Sequence, residues 1–249
     1  MTGTEFTDEL GGVSLAGRYR PAVESAVTGG DLLTAVDSPY GPRVLIGDVR
    51  GHDVEAARLS TLATDCFRKH VRTMPDLVRL TTTLDARLTP ELDDEGFVTA
   101  VLAEFAPGEV RLVNCGHPAP LRISRRMEAL TPAEPGLPLG LQPDPRVQRA
   151  RLADHERLLL YTDGLIEALD ADGTAFPLDE RVRAALTRPT LDDALEALHA
   201  LLMAHTSAAP LRDDLALLLC QPSLPAALPS VPAARRPGER TGDRRISRG

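Results

Sequence analysis

A chain of 249 residues, 43% of them hydrophobic, has enough apolar side chain for one large core and reads as globular. Its net charge is −8, but residues 221–249 hold six Arg against Glu239 and Asp243, a local +4 that leaves −12 on residues 1–220. An acidic body excludes general nucleic-acid binding, which needs a basic footprint.

Residues 1–10 read as a short N-terminal extension, and the folded unit is expected over 11–221. Its strand-like runs begin with VSLAGRYRPA (13–22), LLTAV (32–36) and RVLIGDV (43–49), the last two joined across a turn at SPYGP (38–42). A helix follows over 53–72, with Asp53 as N-cap and Ala56, Leu59, Ala63, Cys66, Phe67 and His70 on one face. Pro75 is expected to open a second helix at N1, with Leu77, Leu80, Leu84 and Leu88 buried. FVTAVLAEF (97–105) and EVRLVNC (109–115) then form a hairpin through APGE (106–109), followed by strands at PLRIS (120–124) and RLLLYT (157–162). A last helix over about 190–206 carries Leu191, Leu195, Leu198 and Leu202, and LALLLC (215–220) is the final strand. Short hairpins with helices packed outside make an α+β protein built on antiparallel sheets. Beyond 221, prolines and arginines replace any apolar period, so 222–249 reads as a disordered tail.

Cys66, Cys115 and Cys220 form no CxxC pair, which indicates neither a disulfide framework nor a zinc knuckle and fits a reducing cytoplasm. The opening MTGTEFTDEL lacks a basic n-region and an apolar h-region, and no apolar run reaches the roughly 18 residues that span a bilayer, so a soluble cytoplasmic protein without membrane partners is expected.

Acids flank the apolar strands. Asp31 precedes LLTAV, Asp48 ends VLIGD, Asp163 follows LLLYT, and Asp213 and Asp214 precede LALLLC. A turn centred between Pro39 and Tyr40 pairs residues whose numbers sum to 79, as those of Asp31 and Asp48 do, so the two should face each other across one hairpin end. Asp163 and Asp213 would share that end if their strands are antiparallel neighbours. For a single Asp, turn formation explains the position; several gathered together repel unless a cation compensates them. All-oxygen ligands select hard ions, Mg²⁺ or Mn²⁺.

The stretches TGGD (28–31), IGDVRGHD (46–53), FVTAVLAEF, NCGHPAP (114–120), GLPLGL (136–141), LLLYTDGLIEA (158–168) and RDDLALLL (212–219) occur in an order and spacing that resembles the bacterial sporulation-E-like (SpoIIE-like) branch of the PPM-type, metal-dependent serine/threonine protein phosphatases. The resemblance implies a four-layer α-β-β-α fold, a two-layer antiparallel β-sandwich flanked by helices, with two Mn²⁺ or Mg²⁺ ions at one end. Carried over residue by residue, Asp48 would bridge both ions, the carbonyl of Val49 would ligate one, Asp163 and Asp213 would complete the second, and Asp31 would lie in or just behind the shell. It further implies hydrolysis of phosphoserine or phosphothreonine in a regulatory protein by a metal-bridging hydroxide. Members of this branch commonly dephosphorylate an anti-sigma-factor antagonist, and the resemblance implies such a substrate here. The rival reading is a non-catalytic binding module of the same fold that regulates a signalling partner. Where the family often has GGDWYD, this chain has Thr34 at the second acid's place, which puts one auxiliary contact to metal-bound water in doubt.

Two residues beside Asp48 carry open roles. His52 could protonate the leaving alkoxide or simply bond the site loop. Arg50 could reach the substrate phosphate or be a solvated turn residue. His117 reads as a strand-end packing histidine. CFRKHVR (66–72) satisfies the C-x5-R spacing of cysteine-dependent phosphatases, but it lies within a helical period without glycine, so its amides are not free to cradle phosphate.

Overall fold

The computed structural model describes residues 5–21, 29–51, 54–207, 211 and 213–223. In chain order the strands are β1 (Glu5–Leu10), β2 (Val13–Arg20), β3 (Asp31–Val36), β4 (Arg43–Val49), β5 (Val98–Ala106), β6 (Glu109–Cys115), β7 (Leu121–Ile123), β8 (Met127–Ala129), β9 (Gln148–Arg151), β10 (Arg157–Tyr161) and β11 (Leu215–Pro222). The α-helices are α1 (Val54–His70), α2 (Leu77–Leu88), α3 (Glu180–Leu186) and α4 (Leu191–His205). Strands β1-β2-β11-β10-β7-β8 form one antiparallel sheet and β3-β4-β5-β6-β9 the other.

The long apolar runs follow from what covers these sheets. In β4, Val44 and Ile46 point between the sheets with Val101, Ala103, Leu158, Leu160 and Leu218, while Leu45 and Val49 point outward against Phe67, Leu80 and Leu84 of α1 and α2. On the other sheet, Leu159, Tyr161, Leu217 and Leu219 pack outward against Val182, Leu195, Leu198 and Leu202 of α3 and α4. Central strands are thus buried on both faces, giving four layers, and their alternation is one of destination rather than polarity. The helical faces expected from sequence are the buried ones, apart from His70, which is only partly covered.

Pro75 does not occupy N1. Asp76 is the N-cap of α2, its Oδ1 accepting from the amides of Val78 (2.8 Å) and Arg79 (3.3 Å), so the helix starts at Leu77 and Pro75 stands just outside it. Asp53, expected to cap α1, lies outside the described residues, as do 224–249 of the expected tail. Residues 5–10, read as an extension, form the edge strand β1 against β2. Cys66–His70 of CFRKHVR form the last turn of α1, and the Val71 amide still donates to the Phe67 carbonyl, so these amides serve the helix. Among the described residues no helix is long and apolar enough to cross a membrane.

At the start of β4, fully buried Arg43 ties the sheet to the helices. Its guanidinium donates to the carbonyls of Val71, Met74 and Pro75 in the α1–α2 link and to the carboxylate of Glu104, its register partner on β5. Glu104→Gln keeps the volume and removes the counter-charge. It is expected to cost about 3 kcal/mol, seen as a lower urea midpoint with an unchanged denaturant slope.

Candidate metal centre

The β3–β4 hairpin sets Asp31 directly opposite Asp48, as the register argument requires. Strands β10 and β11 are antiparallel neighbours, with Tyr161 opposite Leu217 and the Thr162 amide donating to the Ala216 carbonyl (3.1 Å). That pairing brings Asp163, which opens a single 3₁₀ turn, and Asp213, just before β11, to the same end of the sandwich. Thr162 joins the two sheets there: its hydroxyl donates to Asp31 Oδ2 (2.7 Å) and accepts from the Ala216 amide (2.8 Å).

The acids raise one another's protonation. Burial, and then the charges of Asp163, Asp213 and Asp214, push the Asp48 carboxyl up to about 8. Burial and the neighbouring Asp48 hold Asp31 well above the usual carboxylate range, against the Thr162 hydrogen bond that favours its charged form. Asp163 is raised by burial and then by Asp213 and Glu167. Two oxygens, Asp31 Oδ1 and Asp163 Oδ1, are buried without a hydrogen-bond partner among the described residues. A buried carboxylate oxygen left so is costly, and a divalent cation is the group that fits it.

Carbonyls complete the oxygen set. A Cβ placed on Gly30 would stand 2.7 Å from the Val49 carbonyl oxygen, 2.8 Å from that of Gly51 and 3.1 Å from Asp48 Oδ1. Gly51, at φ +106°, takes a backbone conformation that L side chains rarely adopt and lets the chain turn sharply after Val49. Gly30→Ala is therefore expected to displace those carbonyls and raise the Mn²⁺ concentration needed for half-maximal thermal stabilisation by about tenfold or more.

Asp214 has a different use from Asp213. It is buried, and its Oδ2 accepts from the Gly30 amide (2.8 Å), while the Gly29 amide donates to the Tyr19 hydroxyl (2.6 Å). Asp214 thus holds the glycine turn that presents Asp31. Thr34 is buried and accepts from Arg68 Nε (3.1 Å), so its hydroxyl is committed to α1. His117 also bridges the sheets: its Nε2–H donates to the Tyr161 carbonyl (3.0 Å), leaving Nδ1 to accept from the Thr99 hydroxyl (2.8 Å). Burial pulls this imidazole down to about 4, so it is a neutral structural strut.

Glu167 escaped the sequence reading. The backbone after Asp163 continues as a helical turn, the Glu167 amide donating to the Asp163 carbonyl (2.8 Å), and one oxygen each of Asp163, Glu167 and Asp213 lie within 4.8 Å of one another. The i, i+4 spacing of TDGLIE was its signal, hidden because the segment reads as a strand end rather than a helical turn. A recess of about 360 Å³ lined by Gly164, Ile166, Glu167, Leu169 and Asp213 opens beside these acids. Arg50 sits outside the cluster, with its side chain 51% exposed; its guanidinium donates to the Glu95 carbonyl (2.7 Å) and carboxylate (3.2 Å) and lies 5.6 Å from the Phe97 ring centroid. His52 lies outside the described residues.

The fold recurs in known proteins. The structure of the RsbU and RsbW domains of Rv1364c from Mycobacterium tuberculosis is similar with a TM-score of 0.74 and 25% identity, over 87% of this chain and 61% of that one. This chain therefore spans less than two thirds of that relative. The SiaA-PP2C domain of Pseudomonas aeruginosa matches with a TM-score of 0.71 and 20% identity, over 83% of this chain and 85% of that one. The catalytic domain of the serine/threonine protein phosphatase PstP, solved in complex with two manganese ions, matches with a TM-score of 0.61 and 17% identity, over 84% of this chain and 97% of that one. The profile of Stage II sporulation protein E (SpoIIE) matches residues 39–222, from the β3–β4 turn to the end of β11. With that match over most of its length, the chain belongs to the SpoIIE family.

Proposed function

We propose that the chain hydrolyses phosphoserine or phosphothreonine in a regulatory protein, with two divalent ions, Mn²⁺ or Mg²⁺, held by Asp31, Asp48, the Val49 carbonyl, Asp163 and Asp213. The observation that carries the reading is the pair of buried carboxylate oxygens, Asp31 Oδ1 and Asp163 Oδ1, that have no hydrogen-bond partner among the described residues, inside an all-oxygen cluster at one end of the sandwich. Bound there, such ions would make water nucleophilic at neutral pH and offset the charge on the phosphoryl oxygens.

The chain's own residues supply the rest. Thr162 fixes the orientation of Asp31, and Asp214 fixes the glycine turn behind it. Without cations the acids repel a phosphate dianion, which makes activity strictly metal-dependent. The recess beside Glu167 gives the polypeptide flanking a phosphorylated residue a place to lie. Arg50 is the cation for the substrate phosphate; it would exchange an exposed ion pair with Glu95, which is worth little. His52 supplies the proton for the leaving alkoxide in this reading, so His52→Gln should slow an alkyl phosphate more than an aryl phosphate, whose leaving group needs no proton.

An anti-sigma-factor antagonist is the substrate this reading favours, supported by family membership and by the M. tuberculosis relative, whose solved structure contains both an RsbU and an RsbW domain. Release of phosphate from a phosphoserine-bearing antagonist, with and without Mn²⁺, on wild type and Asp48→Asn tests it. Equal rates for the two proteins, or release independent of metal, would remove the enzymatic reading. Activity on an aryl phosphate but not on the antagonist would remove only the substrate.

A further inference from the structure

The Arg43 clamp has a counterpart in the other half of the molecule. Arg157 is the first residue of β10, as Arg43 is of β4. Its guanidinium donates to the carbonyls of Leu186 (2.7 Å), Arg188 (2.7 Å) and Pro189 (3.1 Å) in the α3–α4 link, as Arg43 does to the α1–α2 link. Its Nε donates to Gln221 Oε1 (2.8 Å), the residue one step beyond the Leu158–Cys220 pair on the neighbouring strand, where Arg43 meets Glu104. In both, the Nε donates to the neighbouring strand and the two terminal nitrogens to three carbonyls around a helix–helix link; the difference that matters chemically is that position 104 is a carboxylate and position 221 an amide.

The second clamp is thus a buried cation, 9% exposed, whose hydrogen bonds among the described residues all go to neutral oxygens. Burial pulls its guanidinium below the usual arginine value. Unlike Arg43, it opens onto a cavity of about 520 Å³. Arg125 and His155, both exposed, line this cavity with Ser124 and Thr187, and its single acid, Glu156, has its Oε2 accepting from the Ala153 amide (2.9 Å). A buried charge without a counter-charge is costly, and a positively lined open cavity is where an external anion can supply one.

We propose that this cavity binds a tetrahedral oxyanion, inorganic phosphate or a phosphate monoester, with Arg157 at its floor and Arg125 and His155 at its mouth, taking the place that Glu104 fills in the other half. The site stands apart from the metal centre. Arg157 opens β10 and Asp163 lies just past its other end, about 20 Å away at the rise of an extended chain.

Thermal unfolding of the full chain with Mg²⁺ present tests the proposal. Phosphate is titrated against sodium chloride of equal ionic strength, and ribose 5-phosphate distinguishes a monoester from the free ion. Any shift arising at the metal centre is common to wild type, Arg125→Ser and Gln221→Glu; the cavity's share is the difference among them. Gln221→Glu builds the missing carboxylate into the chain, so it is expected to raise the midpoint in chloride and to lose at least half of the wild-type phosphate increment. Arg125→Ser leaves the clamp intact and is expected to raise the phosphate concentration for half-maximal effect about fivefold or more. Equal phosphate and monoester increments in all three proteins, or none in wild type, would overturn the site. Should Gln221→Glu fail to fold, the Arg125→Ser titration decides alone.

Discussion

Asp48→Asn is expected to raise the unfolding midpoint of the metal-free protein while lowering metal-dependent phosphatase activity at least about 100-fold. Both effects come from one carboxylate. Burial and the charges of Asp163, Asp213 and Asp214 push Asp48 up to about 8, so near neutral pH its ionised form is resisted by everything around it. An amide of the same shape removes that repulsion, worth on the order of 2 kcal/mol, or roughly 4–8 °C for a chain of this size. An ordinary buried polar residue behaves oppositely, since its replacement leaves partners unsatisfied and destabilises. Differential scanning calorimetry in metal-free buffer, with phosphate release measured in Mn²⁺, reads both quantities. A lowered midpoint together with retained activity would show that Asp48 is structural and sink the metal-centre reading. Gain of stability on loss of function marks a group kept in place for a cation.

How far this site could be read from sequence depends on which part of it is local. Asp31 and Asp48 are separated by a short hairpin, so residue numbers alone fix their pairing, and the observed register is the expected one. Asp163 and Asp213 are far apart in sequence, and their meeting depends on β10 lying beside β11, which no local pattern encodes. Thr162 and Asp214 act through single hydrogen bonds to Asp31 and Gly30 across the sandwich, and nothing in their flanking residues announces those partners. The buried strands and the faces of α1, α2 and α4 were legible because apolar periodicity is a local consequence of burial. The edge strands β8 and β9 were missed for the converse reason: MEA and QRAR bury little, so their sequences carry little apolar signal. Helix α3 buries Val182, Ala185 and Leu186, but its seven residues are too few for a helical period to show. The start of α2 was placed two residues early because Pro75 and Asp76 are both start signals, and the Asp side chain, with two amides in reach, wins.

Metal-free protein should lose stability as pH rises from about 6.5 to 8, and Mg²⁺ or Mn²⁺ should abolish that loss. A carboxyl whose folded value is raised, as that of Asp48 is from 3.8 to about 8, binds its proton in the folded chain while the unfolded chain has already released it. The folded state then holds more protons, and stability declines with pH until the folded value is passed. Asp31, raised for the same reasons, adds to the decline. His117 acts in the opposite sense, since burial pulls it from 6.5 to about 4, so the folded state holds fewer protons and stability rises between those values. The two effects oppose each other below pH 6.5, and only the carboxyl effect remains above it, which makes 6.5–8 the diagnostic window. A cation must displace the protons to reach the oxygens, so the midpoint gain on adding metal should be larger at pH 8 than at pH 6.5. Urea unfolding at both values, with and without Mn²⁺, measures it. A metal-free stability that rises across the window, or a metal increment that is the same at both ends, would mean that the acids do not share one charge-frustrated site, because protons and metal would then not be competing for the same oxygens.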